Sequence, residues 1–371
     1  MVLFRCETFY QLINAINIKM NLMASEEADI AFSKSTDFGE MIERVRESGV
    51  FSNVYSSEDS VAYSIELKHK AEQNKSKITN NPEKYLFNTG YESKKYDTIF
   101  WPTISSLYDY LLYYNFYKQH GEAPKIAIYE DGMATYFRFS APDIIKYQNN
   151  IVNASKFPEK CRVEENVIGL YLYDPSLMAV KAGCEVHTIP KITNESLEVL
   201  KRVFGSPELP KEKVIFFSEP FIDEFINNNE VQMLEMIAER VGKENIIVKN
   251  HPRNTADKFE KLGYKMFENS NLPWEIFASD MSVENKLIIS ISSTSIFSPK
   301  LLFDYKLNSI MLLRMATHNR FFATQKPFIG LVSKLERNYN EYERNLFVPS
   351  DTRQLMNALD YFMMSLEDNN G

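Results

Sequence analysis

The sequence has little of several residue types, and each shortage excludes a class of protein. Glycine is scarce, at 12 of 371 residues, which excludes Gly-rich linkers and low-complexity chains. The three cysteines, Cys6, Cys161 and Cys184, show neither a CxxC pair nor a metal-ligand spacing, so they predict reduced, buried thiols in a cytosolic protein. No run of about 18 apolar residues occurs, so the sequence predicts no membrane-spanning helix.

Positive charge is also in short supply, because the net charge is -8. A protein built mainly to hold nucleic acid is normally basic, so we expect no nucleic-acid partner. An anionic small molecule can still bind, because local cations and helix N-termini outweigh the global balance. The first residues lack the layout of a signal peptide, so we expect the protein to fold from its N-terminus and to stay in the cytoplasm.

Strand and helix patterns alternate along the chain in two series. Short apolar strands are followed by helices whose apolar residues recur at i, i+3, i+4 and i+7, which is typical of a parallel sheet covered on both faces. We therefore predict an α/β fold with two Rossmann-like, doubly wound domains, 1–190 and 191–350, and a C-terminal helix at 351–371. Ligands are expected between the domains, at the C-terminal ends of the strands.

Two helices of the second series carry specific expectations. Asn194 is predicted to be the N-cap of a helix that ends at Phe204. A further helix is predicted from Thr294 to Phe303, directly after a strand at 287–291. The length and the apolar spacing of both segments support these helices.

The first candidate site is Glu130-Asp131-Gly132, directly after the predicted strand Lys125–Tyr129. Successive side chains of a strand point to opposite faces, so the two carboxylates are not expected to share one role. Gly132 permits a turn and a close approach of the backbone to a ligand. A carboxylate here can take a proton from a sugar hydroxyl. The alternative is an acidic strand-end turn in solvent.

The second candidate site is Asn250-His251-Pro252-Arg253, after the predicted strand 245–249. Pro252 biases His251 toward extended backbone geometry, and Lys249 and Arg253 supply local positive charge. A histidine that titrates near neutrality can donate to a phosphate or protonate a leaving group. The alternative is a loop histidine that is satisfied by a backbone carbonyl.

The third candidate site is the hydroxyl-rich segment that contains Ser292, Ser293 and Thr294, between a strand and a predicted helix. Hydroxyls and free backbone N–H groups at a helix N-terminus form an anion site. The alternative is an ordinary Ser/Thr N-cap, which these residue types favour in any helix.

The order of the three motifs resembles that of bacterial sialyltransferases of the GT-B type. Those enzymes carry a short acidic motif ending in Gly, a His-Pro motif and a later Ser-rich motif, which stand here as Glu130-Asp131-Gly132, His251-Pro252 and Ser292-Ser293. The opening segment Cys6-Glu-Thr-Phe-Tyr-Gln11 is similar to that of glycosyltransferase family 52, the lipooligosaccharide and capsule sialyltransferase group. Phe9 stands where that family usually has Pro. The resemblance implies a GT-B fold with the active site in the cleft between two domains.

The resemblance also implies a role for each motif. Asp131 would be the general base on the acceptor hydroxyl, and His251 would contact the CMP phosphate as general acid or electrostatic stabiliser. Ser292 and Ser293 would hydrogen-bond the same phosphate. Glu275 would hold the nucleotide ribose, with a first-turn helix acid as the alternative. The other expected contacts with substrate or nucleotide are Glu130, Gly132, Ser218, Pro252, Arg253 and Thr294, and Gln11 is expected on the acceptor side.

The implied reaction is an inverting, metal-independent transfer of sialic acid from CMP-sialic acid to a terminal galactoside-type sugar of a cell-surface oligosaccharide or capsule unit. Neutralising the charge that develops on CMP is the main catalytic requirement, and His251 with the serine hydroxyls can meet it. The sequence has no Asp-x-Asp motif or other metal-ligand cluster, so we expect no cofactor and no metal.

The expected partners are a CMP-sugar donor and an oligosaccharide or lipid-linked glycan acceptor. Peripheral contact with the inner face of the membrane and a homodimer stay open. One alternative is a GT-B glycosyltransferase that uses another nucleotide sugar. Alternatives from other classes are a non-catalytic nucleotide- or glycan-binding protein and a structural partner in polysaccharide export, which would bind no nucleotide.

Overall fold

The computed structural model describes residues 1–33, 36–56, 75–86, 89–104, 107–137, 158–161, 163–219, 229–251, 258–268, 272–316, 326–340 and 344–368. The chain forms two compact units, Met1–Gly205 and Ser206–Gly371. Each unit contains a parallel sheet covered by helices, so the predicted α/β class with two Rossmann-like domains is confirmed. The placement of an active site between the domains stays a prediction.

The first unit is built on a seven-stranded sheet. Its strands are β1 (Val2–Cys6), β2 (Ala28–Phe32), β3 (Asn53–Tyr55), β4 (Thr98–Trp101), β5 (Lys125–Tyr129), β6 (Val167–Leu172) and β7 (Glu185–Thr188). Its helices are α1 (Phe9–Asn21), α2 (Met41–Ser48), α3 (Lys75–Asn80), α4 (Leu107–His120), α5 (Ala134–Phe137), α6 (Val163–Asn166) and α7 (Asn194–Phe204). Short 3-10 turns lie at Pro82–Tyr85, Glu159–Cys161 and Pro175–Leu177.

The strand order of this sheet is β3-β2-β1-β4-β5-β6-β7, and all neighbouring strands are parallel. Every residue of β1 and β2 is buried, as expected for central strands that are covered on both faces. This is the Rossmann order with one further strand, and the direction of winding reverses between β1 and β4. Loops that follow the strands near this switch point are the expected ligand-binding loops.

The second unit is built on a six-stranded parallel sheet of order β10-β9-β8-β11-β12-β13. Its strands are β8 (Val214–Phe217), β9 (Ile246–Lys249), β10 (Lys265–Met266), β11 (Leu287–Ser290), β12 (Asn308–Met311) and β13 (Leu346–Phe347). Its helices are α8 (Glu230–Val241), α9 (Lys258–Lys261), α10 (Trp274–Phe277), α11 (Ser298–Phe303), α12 (Lys326–Tyr339) and α13 (Thr352–Asp368), with 3-10 turns at Lys243–Asn245, Met281–Asn285, Thr294–Ile296 and Leu312–Arg314. The switch point lies between β8 and β11.

The boundary between the units follows Gly205, whereas we predicted it between residues 190 and 191. Helix α7 belongs to the first unit because it packs against α1 and α2. Its N-cap is Thr193, whose hydroxyl accepts from the Ser196 N–H at 3.3 Å, so the predicted cap Asn194 is instead the first helical residue. Gly205, with φ of 89°, ends the helix in a conformation that disfavours other residues.

The C-terminal helix α13 is part of the second unit and not a separate segment. Its apolar face, with Leu355, Leu359 and Phe362, packs into the same core as Leu234 and Ile237 of α8. Helix α12 was not predicted, although its buried residues recur at helical spacing: Phe328, Leu331, Val332, Leu335 and Tyr339.

The predicted helix from Thr294 to Phe303 is divided in two. Thr294–Ile296 forms a 3-10 turn, and α11 begins only at Ser298. Pro299 lies in the first turn of α11, where its missing N–H and fixed φ are tolerated. In a helix that began at Thr294, Pro299 would lie in the interior and clash with the carbonyl four residues earlier.

The thiols and the membrane prediction have separate outcomes. Cys6 and Cys161 are buried as predicted, whereas Cys184 is partly exposed, and all three are free thiols. Among the residues whose structure is described, no helix has both the length and the apolar character that a membrane span requires.

Candidate active site

The first candidate site lies where β5 ends, and its first acid is buried. The Glu130 carboxylate accepts hydrogen bonds from the Tyr10 hydroxyl at 2.8 Å, from the Tyr136 hydroxyl, and from the Tyr173 backbone N–H at 3.0 Å. Burial raises the pKa of Glu130 to about 7, although these three bonds oppose the rise. We predicted that Glu130 contacts substrate. The structure instead turns its carboxylate into the protein, where it supports the strand end.

The second acid, Asp131, is partly exposed and has different partners. Its Oδ1 accepts from the Gln11 side-chain amide at 2.7 Å, and its backbone N–H donates to the Thr135 hydroxyl at 2.9 Å. Gly132 follows with φ of 83°, a left-handed conformation that glycine adopts readily. The two neighbouring carboxylates therefore occupy different environments, as the sequence predicts.

Gln11 is itself held firmly at the N-terminus of α1. Its Oε1 accepts from the Glu7 backbone N–H at 2.6 Å, and its own N–H donates to the hydroxyl of the N-cap Thr8 at 3.3 Å. With both its backbone and its side-chain oxygen engaged, Gln11 presents its amide nitrogen to Asp131 in a fixed position. The structure therefore brings together the two residues predicted to act on the acceptor.

The second candidate site follows β9 and is braced by the neighbouring strand β8. The His251 backbone N–H donates to the Ser218 hydroxyl at 3.0 Å, and the Ser218 N–H donates to the Lys249 carbonyl at 3.1 Å. Ser218 is buried and His251 is partly exposed, so Ser218 holds the loop that carries the histidine. Pro252 and Arg253, also predicted here, lie outside the described residues.

Lys249 and Glu275 are two buried groups of opposite charge that influence each other electrostatically. Each is 6% exposed. Burial lowers the pKa of Lys249 to about 8, against the effect of the Glu275 charge. Burial raises the pKa of Glu275, while the Ser298 hydroxyl and Lys249 act in the opposite direction. We predicted that Lys249 supplies charge to a ligand and that Glu275 binds ribose; in the structure both side chains are directed into the protein.

The third candidate site follows β11, and a carboxylate of the chain already occupies its donors. Ser292 donates to Oε1 of Glu219 from its backbone N–H at 2.6 Å and from its hydroxyl at 3.1 Å. The Ser290 hydroxyl lies 3.4 Å from the same oxygen. Burial raises the pKa of Glu219, and the bonds from the two serines partly offset this rise. The donors that we predicted for a phosphate therefore bind a carboxylate here.

Ser293 and Thr294 contribute mainly to the local turn. The Ser293 N–H donates to the Ser290 hydroxyl at 2.8 Å, and the Ser293 hydroxyl caps the Ser295 N–H at 3.3 Å. Thr294 opens a 3-10 turn, and the following helix has only six residues. A helix this short has a small macrodipole, so the predicted contribution of a helix N-terminus is minor. The N–H and hydroxyl of Ser292 are donors of the predicted anion site that the Glu219 carboxylate engages.

Strand β8 connects the second and third sites because it lies between β9 and β11. Ser218 contacts His251 on one side, and the next residue, Glu219, contacts Ser292 on the other. Both contacts lie at the C-terminal edge of the sheet, next to the switch point. The sequence predicts that Ser218-Glu219-Pro220, which follows the strand Val214–Phe217, lines the nucleotide pocket. The structure adds the contact of Glu219 with Ser292, and Pro220 lies outside the described residues.

The two units thus contribute different chemistry, Asp131 and Gln11 in the first, His251 and Ser292 in the second. Within the described ranges, no group of three or more His, Cys, Asp or Glu side chains is placed to hold a metal ion. A carboxylate fits proton abstraction, and an imidazole with hydroxyl and N–H donors fits the binding of a phosphate.

A family model matches most of the chain. The model of the alpha-2,8-polysialyltransferase family (POLYST) matches residues 3–311, a range that runs from β1 to the end of β12. It therefore includes Gln11, Asp131, His251 and Ser292. A search of curated proteins finds no match.

Several solved structures are similar to the chain. The glycosyltransferase of kitacinnamycin has a TM-score of 0.49 and 9% identity, covering 100% of this chain and 95% of its own. CalG4, the calicheamicin glycosyltransferase, has a TM-score of 0.47 and 9% identity, with coverages of 97% and 89%. MnaA of S. aureus, solved with UDP, has a TM-score of 0.41 and 12% identity, with coverages of 98% and 96%.

Proposed function

Because the chain belongs to the alpha-2,8-polysialyltransferase family, we propose that it is a sialyltransferase that uses CMP-sialic acid as its donor. Membership makes the chain a glycosyltransferase of a sialyltransferase family. The family match over residues 3–311 is the observation that carries the proposal. A GT-B arrangement with one site between the two units belongs to the proposal, and membership of glycosyltransferase family 52 stays a prediction.

The family name also favours a particular acceptor. An α-2,8 linkage joins C2 of one sialic acid to O8 of another, so we propose a glycan that ends in sialic acid. The galactoside-type acceptor predicted from the sequence is the second candidate, and the same assay separates the two.

The first unit would activate the acceptor. Asp131 takes the proton of the attacking acceptor hydroxyl. The oxygen of that hydroxyl forms a bond to C2 of the donor sugar, and the bond from C2 to the CMP phosphate oxygen breaks. Attack from the face opposite CMP inverts the anomeric centre. The hydrogen bond from Gln11 supports this role because it fixes the orientation of the Asp131 carboxylate.

The second unit would hold the nucleotide. His251 and the N–H and hydroxyl of Ser292 bind the phosphate and stabilise the negative charge that CMP gains as it leaves. Such stabilisation acts without a metal, so EDTA is expected to leave turnover unchanged. Loss of turnover in EDTA, restored by a divalent cation, would contradict this part of the proposal.

The proposal is tested first by donor choice. Titration calorimetry of the full chain is expected to show binding of CMP and weaker binding of UDP. Release of CMP from CMP-sialic acid is then measured with no acceptor, with lactose, and with a sialyl oligosaccharide. Acceleration by the sialyl oligosaccharide supports the proposal. Acceleration by lactose alone favours the galactoside acceptor. Preference for UDP favours another nucleotide sugar, and binding without turnover favours a non-catalytic protein.

A further inference from the structure

The donors that the proposed function assigns to a phosphate are engaged inside the protein. The Ser292 backbone N–H has one hydrogen, which points to Oε1 of Glu219 at 2.6 Å, and the Ser292 hydroxyl donates to the same oxygen at 3.1 Å. A single N–H hydrogen does not serve two anionic acceptors at full strength. A phosphate that binds Ser292 through this N–H therefore competes with the Glu219 carboxylate.

We propose that Glu219 is an internal anion that holds the Ser292 donors while no nucleotide is bound, and that the donor phosphate displaces it. The inference rests on the proposed function, because it takes a phosphate to be the ligand of Ser292. It goes beyond that function by naming a residue that lowers the affinity for phosphate-bearing ligands. Glu219 does so without being one of their ligands.

The backbone around Glu219 allows such an exchange. The Glu219 N–H donates to Oε1 of Glu230 at 2.8 Å, and the other oxygen of that fully buried carboxylate accepts from Lys258 at 2.9 Å. Ser218, one residue earlier, is fixed by its N–H bond to the Lys249 carbonyl. With the main chain anchored at Ser218 and at Glu219 itself, the side-chain torsions of Glu219 can change so that its carboxylate leaves Ser292.

Charge repulsion, like the competition for hydrogen-bond donors, lowers the affinity for a phosphate. A phosphate next to Ser292 would lie close to the Glu219 carboxylate, and two negative groups at short distance repel each other strongly where water is partly excluded. The return of the Glu219 carboxylate to Ser292 after the reaction would in turn favour the departure of CMP. The exchange therefore weakens nucleotide binding and assists product release.

The test compares a nucleotide with its nucleoside in matched variants. Affinities for CMP and for cytidine are measured by titration calorimetry on the wild-type chain and on Glu219→Gln, with Glu219→Ala as a second variant. The neutral amide competes less well for the serine donors and does not repel a phosphate, so CMP is expected to bind about tenfold more tightly. The affinity for cytidine is expected to stay unchanged.

Glu284→Gln is the matched control. The Glu284 carboxylate also accepts from a backbone N–H, that of Lys306 at 2.7 Å, and is also partly exposed. It lies at the N-terminal edge of the same sheet, next to the start of β11, so its substitution is expected to leave both affinities unchanged.

The sign of the change decides the inference. If Glu219 merely positions Ser292, both Glu219 variants will bind CMP more weakly or equally, which overturns the proposal. A gain that is equal for cytidine overturns it as well. If the wild type binds UDP but not CMP, the donor proposal fails, and the comparison of UDP with uridine then decides the role of Glu219. If it binds none of these ligands, both proposals fail.

Discussion

The acid site of the first unit leaves its candidate base partly exposed, whereas the donors of the serine site in the second unit are bound by a carboxylate of the chain. In the first, Glu130 is buried and bound by three donors of the chain, while Asp131 is held by Gln11 and stays partly exposed. In the second, the Ser292 donors are bound by Glu219. Groups that are preorganised need no rearrangement at the moment of reaction. We therefore expect changes in the first unit to act on turnover, and changes in the second to act on nucleotide affinity as well.

Asp131→Asn gives the largest expected effect. The amide keeps the size of the side chain but cannot take a proton, so turnover is expected to fall by about 10²–10⁴-fold while CMP affinity is retained. The measurement combines steady-state CMP release with calorimetry. Asp280→Asn is the control, because this exposed acid caps only the 3-10 turn at Met281–Asn285 in the second unit. Loss of CMP binding in Asp131→Asn would contradict the division between the two units.

His251→Ala is the counterpart in the second unit. Loss of the imidazole is expected to weaken CMP binding and to lower turnover by about 10²-fold, because both the bound phosphate and the departing CMP lose a stabilising donor. His187→Ala is the control, since His187 lies on β7 in the first unit and stacks on Tyr171. A variant at His251 with wild-type affinity and turnover would remove this residue from the mechanism.

The buried acids of the two units give a pH-dependent effect on stability. Burial raises the pKa of Glu130 from 4.5 to about 7, so the folded state holds this proton more tightly than the unfolded chain. Relative to Glu130→Gln, the free energy of unfolding of the wild type is therefore expected to fall by at most about 3 kcal/mol as pH rises from about 4.5 to about 7. Above this range the difference is expected to stay constant. Urea unfolding across this range measures the change.

Glu230 provides the matching test in the second unit. Burial raises its pKa to about 7 as well, against the effect of Lys258, so Glu230→Gln is expected to remove a fall in stability over the same pH window. If the free energy of unfolding of the wild type changes with pH in parallel with that of Glu130→Gln or Glu230→Gln, the acid concerned does not titrate in this range.

Gln11→Ala gives the smallest effect of the series. Without the Gln11 amide, Asp131 keeps its charge but loses the donor that orients it. Turnover is therefore expected to fall about tenfold while CMP affinity is unchanged. Gln354→Ala is the control, because the Gln354 Oε1 accepts from the Ser350 N–H at the start of α13 much as the Gln11 Oε1 accepts from Glu7. A turnover loss in Gln11→Ala that only matches that of the control would mean that Gln11 acts through helix stability.

Much of the fold follows from the sequence because parallel strands are buried on both faces. The bounds of Lys125–Tyr129 agree with the predicted strand. The less accurate predictions depend on tertiary structure or on a single residue. Helix α7 could not be assigned to the first unit without its packing on α1 and α2. The division of the helix after β11 follows from Pro299, whose effect the apolar spacing alone conceals.

The contacts among the candidate site residues do not follow from the sequence. The sequence places Gln11 and Asp131 on the acceptor side, but their hydrogen bond spans 120 positions and depends on the sheet that brings α1 to the end of β5. The burial of Glu130 depends in the same way on Tyr10, Tyr136 and Tyr173. The contact of Glu219 with Ser292 arises because β8 and β11 are neighbours, which the order of the motifs along the chain does not reveal.

Product analysis tests the central claim most directly. Wild-type protein and Asp131→Asn are each incubated with CMP-sialic acid and a sialyl oligosaccharide, and the products are analysed by mass spectrometry and by cleavage with a linkage-specific sialidase. The account predicts that the wild type extends the acceptor by sialic acid through O8, with one CMP released for each residue added, and that Asp131→Asn forms almost no product. Equal product from both proteins, or extension by the wild type only from a UDP-sugar, would contradict it.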